Sequence, residues 1–409
     1  MDLDELFHAV KEIAIDKYEW TGLSDEELLL ELEGILNRVL DGRYLSLQGK
    51  VQVIERLFSD FRGFGLLDQL MNDDQITELM VNGYDSIFIE KKGRIEKAGL
   101  VFDSEQALTN TIQKIVGVAG REVNHATPIV DTRLPDGSRV NVILPPISLV
   151  GPVMTVRKFS NCVMTLEHLI AIDSITQEVA DFLRLLVEAR YNIFVSGGTG
   201  SGKTTFLNVL SSCIPKDERV VTIEDSAELQ MTKIDNLVRL ETRNANSSGV
   251  GEVTIRDLIR ASLRMRPDRI VVGEIRGREA LDMLQAMNTG HDGALATGHA
   301  NSAKDMLSRI ETMVLQGEVA LPLQAIRGQI ASGLDIIVHL SRLRDRTRRV
   351  VEVSEVVRIE GGHVLLAPLF LFHESCMSDE QHVVGGLVRT NEPFVHHSKL
   401  KKIGKEALI

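Results

Sequence analysis

Cysteine is scarce in this 409-residue chain. Cys162, Cys213 and Cys376 lie far apart and form no C-x-x-C pair, so neither a zinc knuckle nor a disulfide framework can be drawn, and a reducing cytoplasm fits. Long apolar runs are also missing: no stretch of about 18 apolar residues occurs that would read as a membrane span. The first residues, MDLDELFHAVKEIAID, are acidic where a signal peptide needs a basic start. Positive charge is in deficit, with a net charge of −12, and aromatics make up only 4%. Both features disfavour an extended nucleic-acid interface. No internal repeat or low-complexity tract is present. What remains is 44% hydrophobic and 25% charged residues, the profile of a folded chain, at a length that predicts two or three compact units.

The pattern divides the chain into a helical arm (1–60), an α+β domain (61–160), an α/β domain (161–375) and a C-terminal tail (376–409). Ser24 with Glu27 reads as a capping box opening a helix in the arm, and Ser174 with Gln177 as a second one before FLRLLVEAR. SIFIEKKGRIEKAGLVF reads as a hairpin, and LPDGSRVNVILPP as a turn and a strand. RVVTIED, RIVVGEI and ALATGHA are buried-strand candidates for a mainly parallel sheet, followed by antiparallel strands in DIIVHLSRL, RRVVEVSEVV and HVLLAPLFLF.

The segment NIFVSGGTGSGKTTFLNVL is an apolar strand, a glycine loop and a helix. Gly197, Gly202, Lys203 and Thr204 satisfy G-x-x-x-x-G-K-[ST]. Glycines let main-chain amides wrap phosphates, lysine reaches the β and γ oxygens, and the Thr204 hydroxyl suits Mg²⁺. The spacing therefore predicts an ATP-binding loop built from Gly197, Gly198, Thr199, Gly200, Ser201, Gly202, Lys203, Thr204 and Thr205. Apolar strands ending in carboxylates supply the usual partners of such a loop. Glu274, after RIVVG, is expected as general base or water-positioner; Glu224 and Asp225, after RVVTI, as metal-shell or water-orienting residues. Glu228 lies farther along and serves equally well as a helix cap. His299, with Thr297 and Asn301, would project from a third strand tip toward the nucleotide; His291 lies upstream in NTGHDG. Arg256, Arg260 and Arg264 recur every four residues on one helix face, either solvated or facing an acidic surface of a neighbouring subunit or nucleotide across that seam.

Together these segments resemble the type II/IV secretion ATPases, most closely the CpaF-type ATPases of Tad/Flp pilus assembly. The Walker A box GGTGSGKTT, the aspartate box TIEDSAELQ, the Walker B box RPDRIVVGEIRG and the histidine box NTGHDGALATGHAN occur in the family's order, and the likeness continues through ELMVNGYDSIFIE and PIVDTRLPDGSRVNVILPP. The resemblance implies an α/β fold with a RecA-like core, a smaller α+β N-terminal domain and a helical arm. It also implies a cytoplasmic homohexamer, held at the inner membrane through a polytopic platform protein, that hydrolyses ATP with Mg²⁺ to drive pilus assembly or secretion. Arg133, Arg139 and Arg157 match the motif positions of arginines that close on the γ-phosphate, and Arg276 is a candidate for communication between subunits. No cysteine pair matches the four-cysteine zinc module of some relatives. The contrasting reading is a nucleic-acid translocase of the RecA-like hexameric class, which the acidic charge disfavours.

Overall fold

The computed structural model describes residues 3–17, 23–91, 93–159, 164–243, 245, 250–317, 321–379 and 382–405, so Cys162 lies outside the described residues. The chain forms two compact units, Met1–Asn161 and Cys162–Ile409.

In the first unit, α1 (Leu3–Lys17), α2 (Asp25–Leu40) and α3 (Leu47–Arg62) pack around their own apolar cluster, including Leu6, Leu32, Leu36 and Leu57. The Ser24 and Glu27 capping box opens α2 as the sequence predicts. After the short α4 (Asp68–Met71), β1 (Ile76–Asn82), β2 (Ile87–Lys91) and β3 (Arg94–Lys97) precede α5 (Glu105–Val118), and β4 (Ile129–Arg133), β5 (Arg139–Ile143) and β6 (Val153–Arg157) follow it. The six strands form one antiparallel sheet in the order β3-β2-β1-β6-β5-β4. On α5, Leu108, Ile112, Ile115 and Val116 keep helical spacing and share a core with Leu79, Val81 and Ile87 of the sheet. The arm is joined to this body by Lys114 of α5. Its ammonium caps the C-terminus of α3 by donating to the carbonyls of Asp60, Phe61 and Gly63 at 2.8, 3.1 and 3.1 Å.

The second unit begins with α6 (Leu166–Ala171), α7 (Gln177–Glu188), β7 (Ile193–Gly197), α8 (Lys203–Ser211), β8 (Val220–Glu224) and β9 (Leu237–Glu241). Next come α9 (Ile255–Ser262), β10 (Arg269–Val272), α10 (Glu279–Asn288), β11 (Leu295–His299), α11 (Ala303–Leu315) and α12 (Leu323–Gly333). The antiparallel end is β12 (Ile336–Arg342), β13 (Arg348–Glu360), β14 (His363–Glu374), β15 (Gly385–Arg389) and the short α13 (Ser398–Lys402). The nine-stranded sheet runs β15-β14-β13-β12-β7-β11-β10-β8-β9. It is parallel from β12 to β9 and antiparallel from β12 to β15.

Strand alternation sends Ile193, Val195, Val271 and Leu295 into the core beneath α7 and α8. Phe194, Ile270, Val272 and Ala296 enter the core beneath α9 to α12. The parallel strands are thus covered on both sides, which is why they read as unbroken apolar runs.

Two local expectations are corrected. α7 starts at Gln177 with Thr176 as its N-cap, the Thr176 hydroxyl accepting from the Val179 amide. Ser174 instead closes the preceding turn, its amide donating to the Leu169 carbonyl and its own carbonyl accepting from Val350. Residues 376–409, read as a tail, supply β15 at the sheet edge and bury Phe394 and Leu400 in the core beneath α7 and α8.

Candidate nucleotide site

Parallel strands deliver their C-terminal ends to one edge, and β7, β11 and β10 lie side by side there. The loop Gly197–Gly202 leaves β7 and enters α8 at Lys203, with Thr204 and Thr205 in its first turn. Gly200 and Gly202 adopt φ of 70° and 93°, a left-handed backbone that glycine takes without steric cost. Two of the loop's side chains bond one of its carbonyls: Ser201 Oγ donates to Gly198 O at 2.9 Å, and Lys203 Nζ to the same oxygen at 2.8 Å.

From Lys203 a chain of polar contacts crosses the strand tips. Lys203 Nζ lies 3.3 Å from His299 Nδ1 at the end of β11. His299 Nε2 lies 2.9 Å from Glu274 Oε1, just past β10, a short contact that is off the line of a good hydrogen bond. An ammonium at Nδ1 and a carboxylate at Nε2 together assign the tautomer with the proton on Nε2. Glu274 Oε2 accepts from Arg276 Nη2 at 2.7 Å, and Arg276 Nη1 reaches Asp225 Oδ2 at 3.3 Å.

The electrostatics follow from this order. Burial pulls Lys203 below the ordinary lysine range, opposed by the Glu274 charge. Burial also works to raise Glu274, but the Arg276 hydrogen bond and charge, with His299 and Lys203 behind them, hold it below the usual carboxylate range. Burial lowers His299 more than Glu274 raises it, leaving the imidazole neutral at pH 7. The edge therefore carries an ionised carboxylate next to a neutral imidazole and an ammonium, a set able to orient water and receive a polyphosphate.

Glu224 stands apart from that chain. It ends β8, is 2% exposed, and its Oε1 accepts from the amides of Glu228 and Leu229, both at 2.8 Å. Burial lifts its carboxyl to about 7 against the pull of those amides, while Oε2 is buried without a hydrogen-bond partner. Its visible work is to hold the turn after β8. Gly273 is explained by the same carboxylate, since a Cβ there would stand 3.1 Å from Glu224 Cγ. Asp225 is exposed and bonds Arg276 and Thr242. Thr297 ties β11 to β10, its hydroxyl donating to Gly273 O at 2.6 Å.

His291 precedes β11, at the opposite end of that strand from His299. Arg256 is partly buried, whereas the Arg260 side chain stays exposed. Both donate to the buried Asp282 of α10, at 2.9 and 2.7 Å, while Arg264 is exposed. The sequence reading gave Arg276 a role between subunits and missed its bond to Glu274, although a two-residue separation in Glu274-Ile275-Arg276 was the available signal.

Arg133, Arg139 and Arg157 lie in the first unit, on β4, β5 and β6. Pairing sets Arg133 opposite Arg139 and Arg139 opposite Arg157, so the three occupy one row on one face of the sheet. Glu78 on β1 lies opposite Arg157. Arg133 donates to Gly137 O and sits over the Phe159 ring.

The profile of the family described as Type II/IV secretion system protein matches residues 61–402. The chain belongs to that family. The chain is 34% identical over 341 residues to a putative conjugal transfer protein of Mycobacterium tuberculosis, covering 82% of this chain and 95% of that one. It is 34% identical over 311 residues to the type IV secretion system protein PtlH homolog of Bordetella bronchiseptica, covering 69% and 91%. Among solved structures, the ATPase DotB of Yersinia pseudotuberculosis superposes with a TM-score of 0.53 at 14% identity, over 87% of this chain and 84% of that one. The likeness is one of fold. Among the described residues no helix is long and apolar enough to cross a membrane.

Proposed function

We propose that this secretion ATPase is the homohexameric motor of a Tad/Flp-type pilus or of a type II/IV secretion apparatus, acting at the cytoplasmic face of the inner membrane on a polytopic platform protein. The observation that carries the chemistry is the chain Lys203, His299 and Glu274, contributed by the start of α8, the end of β11 and the turn after β10, at distances of 3.3 and 2.9 Å.

In this reading ATP is held by the amides of residues 197–205, and Lys203 exchanges the Gly198 carbonyl for a β or γ oxygen. Glu274, kept ionised by Arg276, orients or deprotonates the attacking water, and His299 couples that carboxylate to the lysine. Asp225 and Glu224 stand beside it as water-orienting or metal-shell groups, Glu224 through the fixed turn it holds. No group of three or more metal-ligating side chains occurs among the described residues, and Mg²⁺ in phosphate sites takes most of its ligands from phosphate and water. The Thr204 hydroxyl and Asp225 fit that sparse donor set; Mg²⁺, when bound, neutralises charge on the β and γ phosphates.

Arg133, Arg139 and Arg157 are the arginines that, on the resemblance to the family, would close on the γ-phosphate. Arginine supplied in this way is worth about 10³ to 10⁵ in rate.

The test is phosphate release by the purified full chain with MgATP, together with its mass in solution by light scattering with a non-hydrolysable ATP analogue. Six-fold mass and Mg²⁺-dependent release that DNA does not stimulate are expected. A monomer without turnover, or turnover that requires DNA, contradicts the proposal.

A further inference from the structure

The phosphate loop is flanked on two sides, because β7 lies between β11 and β12. The β11 side carries His299. On the other side the β12–β13 hairpin touches the loop at points that no sequence motif marks. His339 stands opposite Ser196 in the parallel register, with Nδ1 3.1 Å from Ser196 Oγ. The Leu340 carbonyl presses on Gly197, where a Cβ would come within 2.5 Å of that oxygen. Arg348, the first residue of β13, donates from Nε to the Gly200 carbonyl at 2.8 Å, and its Cδ is 3.4 Å from the place of a Cβ on Gly202.

We propose that Arg348 is a positioning residue for nucleotide binding. It holds the apex of the phosphate loop in the shape whose amides converge on phosphate, and so sets nucleotide affinity rather than the rate of the chemical step. This rests on the ATP-binding reading of the loop.

A loop that turns its amides inward turns its carbonyls outward, and those carbonyls need donors. Gly198 O finds them inside the loop, in Ser201 and Lys203. Gly200 O takes the Arg348 Nε, which belongs to the sheet. Ordering this segment is costly, since it has glycines at positions 197, 198, 200 and 202 and glycine loses more backbone entropy on ordering than any other residue.

The hairpin that carries Arg348 is itself fixed. Arg344 donates to both Glu374 oxygens and to Asp379 O. The Asp345 carboxylate accepts from the Val383 amide at 2.9 Å, and Arg349 donates to Gly385 O and Val383 O at 2.9 and 3.0 Å. The loop apex is thereby referenced to the C-terminal strands.

The experiment uses the full chain and measures MgATP steady-state kinetics, ADP affinity by calorimetry and amide exchange in the peptide spanning 197–204. Arg348→Ala should raise both KM for ATP and Kd for ADP about tenfold, the loss of one charge-assisted hydrogen bond that preorganises the site, and should speed exchange at residues 198–202. Because only uniform binding is removed, kcat should stay within about twofold. Arg348→Lys should recover part of the affinity. Arg358→Ala removes the same charge from β13 at an exposed position bonded to Glu360 and should leave all three readouts unchanged. The inference is overturned if Arg348→Ala leaves ADP affinity and loop exchange at wild-type values, if kcat falls while KM holds, or if Arg358→Ala gives the same loss. Wild-type protein that binds no ADP would overturn the reading of the loop itself, an outcome distinct from wild-type binding that Arg348→Ala leaves intact.

Discussion

Strand β10 begins at Arg269 and leads at its other end to Glu274, and the two ends treat charge in opposite ways. Arg269 is 0% exposed. Its Nε and Nη2 donate to the Glu218 carboxylate and its Nη1 to Val187 O, while Glu218 also receives Arg190. Every charge there has a fixed partner. At the Glu274 end, contacts run through a neutral imidazole, the lysine is shared between a carbonyl and that imidazole, and Arg276 is exposed. A closed network locks a fold; an open one can exchange partners with a substrate.

The largest effect should come from breaking the closed end. Arg269→Ala leaves the buried Glu218 to the half-exposed Arg190 and should cost about 3–5 kcal/mol of unfolding free energy, read by chemical denaturation. The pair Arg269→Met with Glu218→Leu should recover most of that loss. If the pair is as unstable as the single variant, the ion pair is not what closes this end.

Breaking the open end should do the reverse. Lys203→Ala should lower kcat/KM for ATP by about 10²–10³ while the denaturation midpoint holds or rises, because burial disfavours this ammonium. A matching loss of stability would erase the distinction between the two ends.

Glu224 belongs to neither class, being buried like Arg269 yet half unsatisfied like the site. Its folded pKa of about 7 exceeds the ordinary 4.5, so the native state binds the proton more tightly than the unfolded chain. Stability from this group is present below pH 4.5 and is lost as pH rises toward 7. Glu224→Gln should remove a slope worth about 1–3 kcal/mol across that window, measured by denaturation in chelator at several pH values. An unchanged slope would show that the carboxyl is not held protonated.

The smallest effect separates local caps. Thr176→Ala should cost about 1 kcal/mol, and a larger loss at Ser174 than at Thr176 would reverse the assignment of the α7 cap.

Much of this was legible in the sequence because it is local. β7, β8, β10 and β11 announce themselves as apolar runs, being covered on both faces, and the loop and its carboxylates follow at strand ends. Ser174 and Thr176 show where locality fails. Both precede a helix with suitable side chains, and the turn closed onto Leu169 together with the strand that brings Val350 decides between them. The row of Arg133, Arg139 and Arg157 depends on antiparallel register, so motif positions named the residues but not their alignment. Asp282, which takes Arg256 and Arg260, lies on a different helix from both. Arg348 reaches Gly200 only because β12 joins the sheet beside β7, a pairing no local signal encodes.

The central claim is that Glu274 acts on water while the loop and Lys203 hold the nucleotide. Single-turnover measurement on Glu274→Gln tests it most directly, with bound ATP followed by filter binding and hydrolysis by phosphate release. The account predicts ATP affinity near that of the wild type with hydrolysis slower by about 10²–10⁴. Hydrolysis at the wild-type rate, or loss of ATP binding with the rate per bound nucleotide unchanged, would contradict it.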